Sequence, residues 1–225
     1  MKSKHVTQIE PDAPEIGSND ELVDVATGND GSFIVDRSVH ESVRFSESQR
    51  TINAKSIVIE QSVVGRDVFA RSVLSAAELK DCLFDHADLA SITWIDARIV
   101  RVKFQECRLT GADFRLCEIR DVHFDQCKML DAILSESHLK QVRFDRCQLK
   151  NLDLAGATIE SVALHHCEVE QLRLDGARIS MLDLRGSRID GLSLDVESLR
   201  GIVIDPLQAP ALAQALGVRV LDRQD

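Results

Sequence analysis

Cysteine returns every twenty residues in this chain, at Cys107, Cys127, Cys147 and Cys167, and His165 and His166 stand beside the last of them. Thiolates and imidazoles are the usual ligands of structural zinc, which needs four of them converging on one point. Chains that do this supply the ligands in closely spaced pairs, and no C-x-x-C occurs here. A spacing of twenty asks for another cause. A backbone that returns to the same place every twenty residues would stack the thiols in a line, and a line cannot surround an ion.

The element that would position them has a shorter period. Counting by fives from Ile59 to Ile204 gives 30 consecutive apolar residues, among them Phe84, Leu89, Trp94, Ile99, Phe104 and Leu109. The residue two before each of these centres is usually small or β-branched, as at Ala77, Cys82, Ala87, Ala97 and Val102. Neither a helix, with a period near 3.6, nor a strand, with a period of 2, repeats at five. A backbone that turns a corner every five residues does. Gly111, Gly156, Gly176, Gly186, Gly191 and Gly201 all fall two residues after a centre. A corner requiring φ > 0 would be placed there.

Four such sides make twenty residues, so positions twenty apart should form columns. The sequence shows them: Val102, Val122, Val142, Val162 in one, and Phe104, Phe124, Phe144 in another. Cys107, Cys127, Cys147 and Cys167 form a third, continued by Ser187. Stacked coils lie about 4.8 Å apart, so these cysteines and phenylalanines are expected to be a core ladder. His165, His166, His86 and His123 fall at outward positions. No metal, cofactor or catalytic group is expected.

The pattern resembles the pentapeptide-repeat family, whose consensus is A(D/N)LXX. The clearest matches are ADL at 87–89, GADF at 111–114 and NLDL at 151–154. The resemblance implies an all-β fold, a right-handed quadrilateral parallel β-helix over residues 57–205. The Asp/Asn position before the centre is Asp only at Asp88, Asp113, Asp153 and Asp183, so the surface departs from the consensus. Thirty centres make about seven and a half coils, a rod of about 36 Å.

The ends differ from the middle. Residues 1–32 are polar and acidic and read as a mobile tail. Residues 33–56 contain the apolar pieces FIV, SVRF and TINA without a clean frame, and read as an irregular first coil or a cap. Asp67 and Glu197 fall at inward positions, where a charge is costly, so the core is expected to loosen there. Residues 206–225 should form a helix, begun by Asp205 and Pro206 and stopped by Gly217, then a short strand at VRVL. Leu207, Leu212 and Leu216 share one face of it, followed by Val218 and Val220. This stretch is either a hydrophobic cap or a two-fold contact. It is similar to the C-terminal helix of the gyrase-binding Qnr and MfpA type, which implies a homodimer through this end.

Several functions are excluded by composition and motif. The formal net charge is −10, which opposes direct nucleic-acid binding. Tyr is absent and Trp occurs once, so aromatic platforms for bases are lacking. No apolar run approaches the length that spans a membrane. No signal peptide precedes the six cysteines, so reduced thiols in the cytoplasm are expected. There is no G-x-S-x-G elbow, P-loop or H-E-x-x-H, and a smooth prism offers no cleft, so the chain reads as a non-enzyme. What remains is surface. Glu160, Glu170, Asp175, Asp190, Asp195 and Asp205 follow their centres, interleaved with Arg173, Arg178, Arg185 and Arg188. Lys103, His123 and Arg143 form a basic column. Two partner readings follow. In one, the acidic rod mimics DNA and binds a type II topoisomerase, DNA gyrase or topoisomerase IV, modulating it or protecting it from fluoroquinolones. In that reading Glu170, Asp175, Asp190 and Asp195 all point outward and can be neutralised without loss of stability. In the other, the rod is an interaction scaffold with no topoisomerase role.

Overall fold

A computed structural model describes residues 9–18, 21–25, 34–45, 51–66 and 69–221. They form a four-sided parallel β-solenoid closed at its C-terminal end by one short helix. The register between coils is twenty residues. Ile99 pairs with Ile119, Ile119 with Leu139 and Leu139 with Ile159, all in parallel. Two adjacent sides are traced by continuous eight-residue strands: Glu78–Asp85, Arg98–Gln105, Glu118–Asp125, His138–Asp145 and Thr158–His165. A third side carries Lys128–Leu130, Gln148–Lys150, Glu168–Arg173 and Arg188–Ser193. The fourth is a short ladder in the early coils, Asn53–Lys55 with Val73–Ser75, and is then held by single bridges, such as Thr93 with Asp113 and Ile133 with Asp153.

The corners explain the period of five. Asp81, His86, Ser91 and Asp96 turn the four corners of one coil with φ of 53°, 53°, 55° and 59°. A left-handed conformation costs a side-chain-bearing residue about 1–2 kcal/mol. An inter-coil hydrogen bond, contributing about 1 kcal/mol, offsets much of that cost. The His86 N–H donates to Gln105 O at 2.9 Å, Ser91 to Thr110 at 2.8 Å and Asp96 to Arg115 at 3.0 Å. The corner therefore tolerates many residue types, and glycine occupies it only in places, as at Gly111 and Gly156.

Every centre from Ile59 to Leu174 is buried. Phe84, Phe104, Phe124 and Phe144 stack with ring centroids 4.8, 4.8 and 4.7 Å apart, the coil spacing itself. Trp94 and Phe114 tilt against this stack from the facing side.

Both ends depart from the sequence expectations. Residues 33–56, where they are described, are an irregular coil of the solenoid and not a cap. His40 and Phe45 take centre positions, and Val39–Glu41 pairs in parallel with Val58–Glu60. The offset there is nineteen, Phe45 to Val64, and returns to twenty at Ala54 with Leu74. One residue is missing from the coil between Phe45 and Asn53, which hid the frame. Nor is the acidic N-terminal region a mobile tail where it is described. Val23–Val25 pairs with Val43–Phe45, and Ile9 is buried. Residues 1–8 lie outside the described residues, as does Asp67.

At the other end, Glu197 does not enter the core. A 3-10 turn over Glu197–Leu199 leaves it exposed and puts Ser198 inside. A second 3-10 turn, Pro206–Gln208, leads into the helix Ala209–Ala215. Residues 218–221 form no strand. Gln208 is buried and donates through Nε2 to Leu184 O at 2.5 Å and Ser187 O at 2.6 Å. Leu184 O is the next carbonyl in the column whose earlier members accept from cysteine and serine side chains, and Gln208 takes their place there. Among the described residues no helix is long and apolar enough to cross a membrane.

Candidate interaction surface

The thiol column is a hydrogen-bonding device. Cys107, Cys127, Cys147 and Cys167 each donate Sγ–H at 3.4 Å to the carbonyl 23 residues earlier, at Phe84, Phe104, Phe124 and Phe144. Ser187 continues the column and does the same to Leu164 O at 2.8 Å. Each thiol thus satisfies a main-chain acceptor inside the prism. Burial pushes the Cys82 and Cys117 thiols up to about 12, and burial with its neighbouring thiols raises Cys127 as well. All six cysteines are buried and free. The histidines do not join them. His165 lies 3.9 Å from Asp183, and His166 turns a corner at φ 54°. Among the described residues no three His, Cys, Asp or Glu side chains are grouped to hold a metal.

The outward columns are laced with ion pairs across coils. Arg98 bridges Glu78 at 3.2 Å and Glu118 at 3.3 Å. Arg108 reaches back to Asp88, and Arg146 to Asp125. The basic column is neutralised in place. His123 Nε2 lies 2.7 Å from Asp145 Oδ2, and Arg143 Nε lies 2.6 Å from the same oxygen. Burial alone would raise the Asp145 carboxyl, but these two partners hold it down at about 2.

The six acidic candidates separate into two kinds. Glu160 is shared by His138 at 3.2 Å and Lys140 at 3.4 Å, and these hydrogen bonds, His138 first, lower its carboxyl. Glu170 pairs with Lys150 at 3.1 Å and stands in register with Asp190. Asp175 accepts from Ser193 Oγ at 2.7 Å. Asp195 and Asp205 hold the backbone instead. Asp195 accepts from the N–H groups of Gly176 and Ser198 at 2.7 and 2.8 Å. Asp205 accepts from those of Leu207 and Gly186 at 2.9 and 3.1 Å. Asp195 is therefore not removable without cost. Of the apolar tail, Leu207 is 90% exposed, and Leu216, Val218 and Val220 are exposed too. Leu212 turns the other way and packs against the core.

One open groove of about 360 Å³ lies on the third and fourth sides. Its polar groups are paired with each other: Asn151 with Asp131 at 2.7 Å, and Arg173 with Asp153 at 3.4 Å.

A further surface was not visible to the sequence reading. Residues 9–16 lie across the coils along the corner between the two long-stranded sides. Glu10 Oε1 meets Arg143 Nη1 at 2.5 Å. The Asp12 N–H faces the Asp121 carboxylate. The Glu15 N–H donates to Asp81 Oδ1 at 3.0 Å, beside Arg101, which forks onto Asp81 at 2.7 and 2.6 Å. The only sequence signal was P-D-A-P-E at 11–15, two prolines three apart inside an acidic stretch.

Family models match the repeat directly. The model described as pentapeptide repeats (8 copies) matches residues 72–115, and that of the pentapeptide repeat region matches 97–174 and 117–195. The chain belongs to the pentapeptide-repeat family. No curated protein sequence matches this pentapeptide-repeat protein. Among solved structures it is similar to a trypsin-treated form of QnrB1, a plasmid-mediated fluoroquinolone resistance protein, at 18% identity and a TM-score of 0.35. That match covers 74% of this chain and 99% of the other. It is also similar to HetL, a pentapeptide repeat protein involved in heterocyst differentiation regulation in the cyanobacterium Nostoc, at 13% identity and a TM-score of 0.28. There the match covers 75% of this chain and 90% of HetL. Within this pentapeptide-repeat protein, the surface unlike the rest is the strapped corner.

Proposed function

We propose that this pentapeptide-repeat protein is a non-enzymatic rod that binds another protein. The observation that carries the reading is the uninterrupted register. From Ala54 with Leu74 to Leu182 with Ile202, every described pairing is twenty residues apart. No described coil inserts a loop, so the sides are repetitive, and the groove beside Asp131 and Asp153 is open and lined by polar groups already paired with each other. Catalysis needs a concave, water-excluding site with groups poised for proton transfer or nucleophilic attack. Flat ladders of paired charges suit broad protein contact instead, where charge complementarity sets specificity and association rate.

A second reading is favoured by one feature. Glu170 and Asp190 stack in register, with Asp175 accepting from Ser193 and lying 3.8 Å from Arg173. In this reading these carboxylates face the cationic DNA-binding surface of DNA gyrase or topoisomerase IV. The exposed Leu207, Leu216, Val218 and Val220 form a two-fold contact that doubles the rod, with Leu212 beneath them as the cap. Six free, buried thiols suit a reducing cytoplasm.

Supercoiling by purified gyrase and decatenation by topoisomerase IV, with and without a fluoroquinolone, test this second reading. Inhibition or protection should appear, weaken as salt rises, and weaken in Glu170→Gln/Asp175→Asn/Asp190→Asn. The triple variant omits Asp195 because of its backbone bonds. No effect at micromolar protein leaves the scaffold reading. Sedimentation of Leu207→Asp/Val218→Asp against the unaltered chain tests the contact. A dimer that becomes a monomer supports it, and identical sedimentation removes it.

A further inference from the structure

The strap over residues 9–16 has a periodicity that fits the coils beneath it. Glu15 anchors it through its amide and Asp12 turns its amide to the coils, and each directly follows a proline, Pro11 and Pro14. Proline fixes φ and favours an extended polyproline II path for its neighbours. Such a path has three residues per turn, so Asp12 and Glu15 face the same way, and three residues rise about 9.3 Å. The carboxylates they face, Asp121 and Asp81, sit two coils apart, about 9.6 Å. The two repeats match, and one period of the peptide spans two coils.

Charge along the corner is arranged to suit. Reading up the coils, the corner presents Asp81, Arg101 and Asp121, and Arg143 stands on the adjoining side one coil further on, two residues past the corner at Gln141. Asp81 accepts a peptide amide, Asp121 faces another, and the arginines face acidic side chains. Arg143 bonds Glu10, and the Arg101 guanidinium is strengthened by Asp81 and by the nearby Glu15. Lys80 and Arg120 flank the line. Recognition uses main-chain amides and acid–arginine pairs, which any peptide with the same proline and acid spacing can supply.

The resident segment is also an imperfect occupant. Burial and the Asp12 carboxylate together push the Asp121 carboxyl up, so the strap brings like charges together there. Glu10 remains 61% exposed against Arg143.

We propose that the corner surface across Asp81, Arg101, Asp121 and Arg143 is a docking site for a proline-containing acidic peptide segment of another protein, with residues 9–16 as its resident stand-in. The partner segment carries proline three residues apart, an acid opposite Arg143, and an uncharged residue at the place of Asp12. The proposal rests on the reading of the chain as a protein-binding rod, but it concerns this corner alone. Its failure leaves that reading to the other three corners and the acidic side.

The test uses the full chain and a fluorescein-labelled peptide of residues 7–18, followed by anisotropy. Glu10→Arg/Pro11→Gly/Pro14→Gly in the full chain loosens the strap. The peptide should bind this variant at least tenfold more tightly than it binds the unaltered chain, which is already occupied. A peptide carrying Asp12→Asn should bind two- to threefold more tightly than the native peptide. Adding Arg143→Glu to the loosened chain should remove binding, and adding Arg143→Gln should reduce it severalfold. Circular dichroism melting of both variants checks the fold. The proposal is overturned by equal binding to the loosened and unaltered chains, by no binding to either, or by binding indifferent to Arg143. It is also overturned if the unaltered chain sediments as a dimer that the loosened variant loses, since that assigns the corner to a second copy's strap.

Discussion

The middle coils and the last coils follow the same five-residue frame, yet they are held differently. Between Arg98 and His165 each coil contributes a continuous eight-residue strand, and every centre is buried. Beyond Leu174 the long strands give way to two-residue pieces such as Arg178–Ile179 and Leu182–Asp183. Ile179, Ile189, Leu199 and Ile204 are only partly buried there. The middle is stabilised by neighbours on both sides, as in any stacked repeat. The end has one neighbour, and its missing partners are replaced one by one by side chains: Ser198, Asp195, Asp205 and Gln208. Periodic apolar pattern builds a solenoid, and individually placed polar groups finish it.

The largest effect should break the middle first. Leu149 is inward between Met129 and Val169. Leu149→Asp should cost more than about 4 kcal/mol, because it buries an unpaired charge. Ile189 stands in the same column beyond Val169 but is partly exposed. Ile189→Asp should cost about half as much. Urea unfolding midpoints decide this, and equal losses would erase the distinction between middle and end.

Next comes the closing device. Gln208→Leu removes the two bonds to Leu184 O and Ser187 O and leaves both carbonyls without that donor. We expect a loss of about 2 kcal/mol. Hydrogen exchange should show that loss confined to coils after Leu174. Exchange that speeds up equally at Phe104 would mean the ends and the middle open together.

The third test concerns charge in the middle. The Asp145 carboxyl is held near 2, against an ordinary value of about 3.9. A depressed carboxyl contributes stability above its unfolded value and loses it as pH falls towards the folded one. The contribution, about 2 kcal/mol, is complete above about pH 5 and fades between about pH 4 and 2. Asp145→Asn should therefore cost about 2 kcal/mol at pH 7 and almost nothing at pH 2. A constant difference across that range would assign the effect to packing. Smallest of all, Lys150→Asp exchanges an exposed pair with Glu170 for like charges and should cost about 0.5 kcal/mol by thermal melting.

Most of the architecture was legible because burial selects residue type at every centre. The apolar frame from Ile59 onward, the Phe and Cys columns and the outward histidines all follow from counting. Three things were not. The first coil was hidden by one missing residue, and by His40, a polar residue at a centre. The strap was hidden because it binds through N–H groups, which every residue except proline carries. The closing of the C-terminal end was hidden because Asp195, Asp205 and Gln208 look like ordinary surface residues until the acceptors and donors they meet are known. Glu170 and Asp190 were legible as a stack, since register follows from the period.

The nineteen-residue step near Phe45 has a consequence for how the chain finds its fold. A sequence that repeats FQEC, FDQC and FDRC at intervals of twenty could pair any coil with the next but one. Such a frame-shifted assembly would keep nearly every apolar contact and loop out a whole turn. The short step at one end, and the Ser198 displacement at the other, act as end markers in an otherwise self-similar tape. A slip that sets either end segment on a coil other than its own neighbour leaves that end's marker unseated. Misfolding is thereby penalised at the two places where the repeat is least perfect.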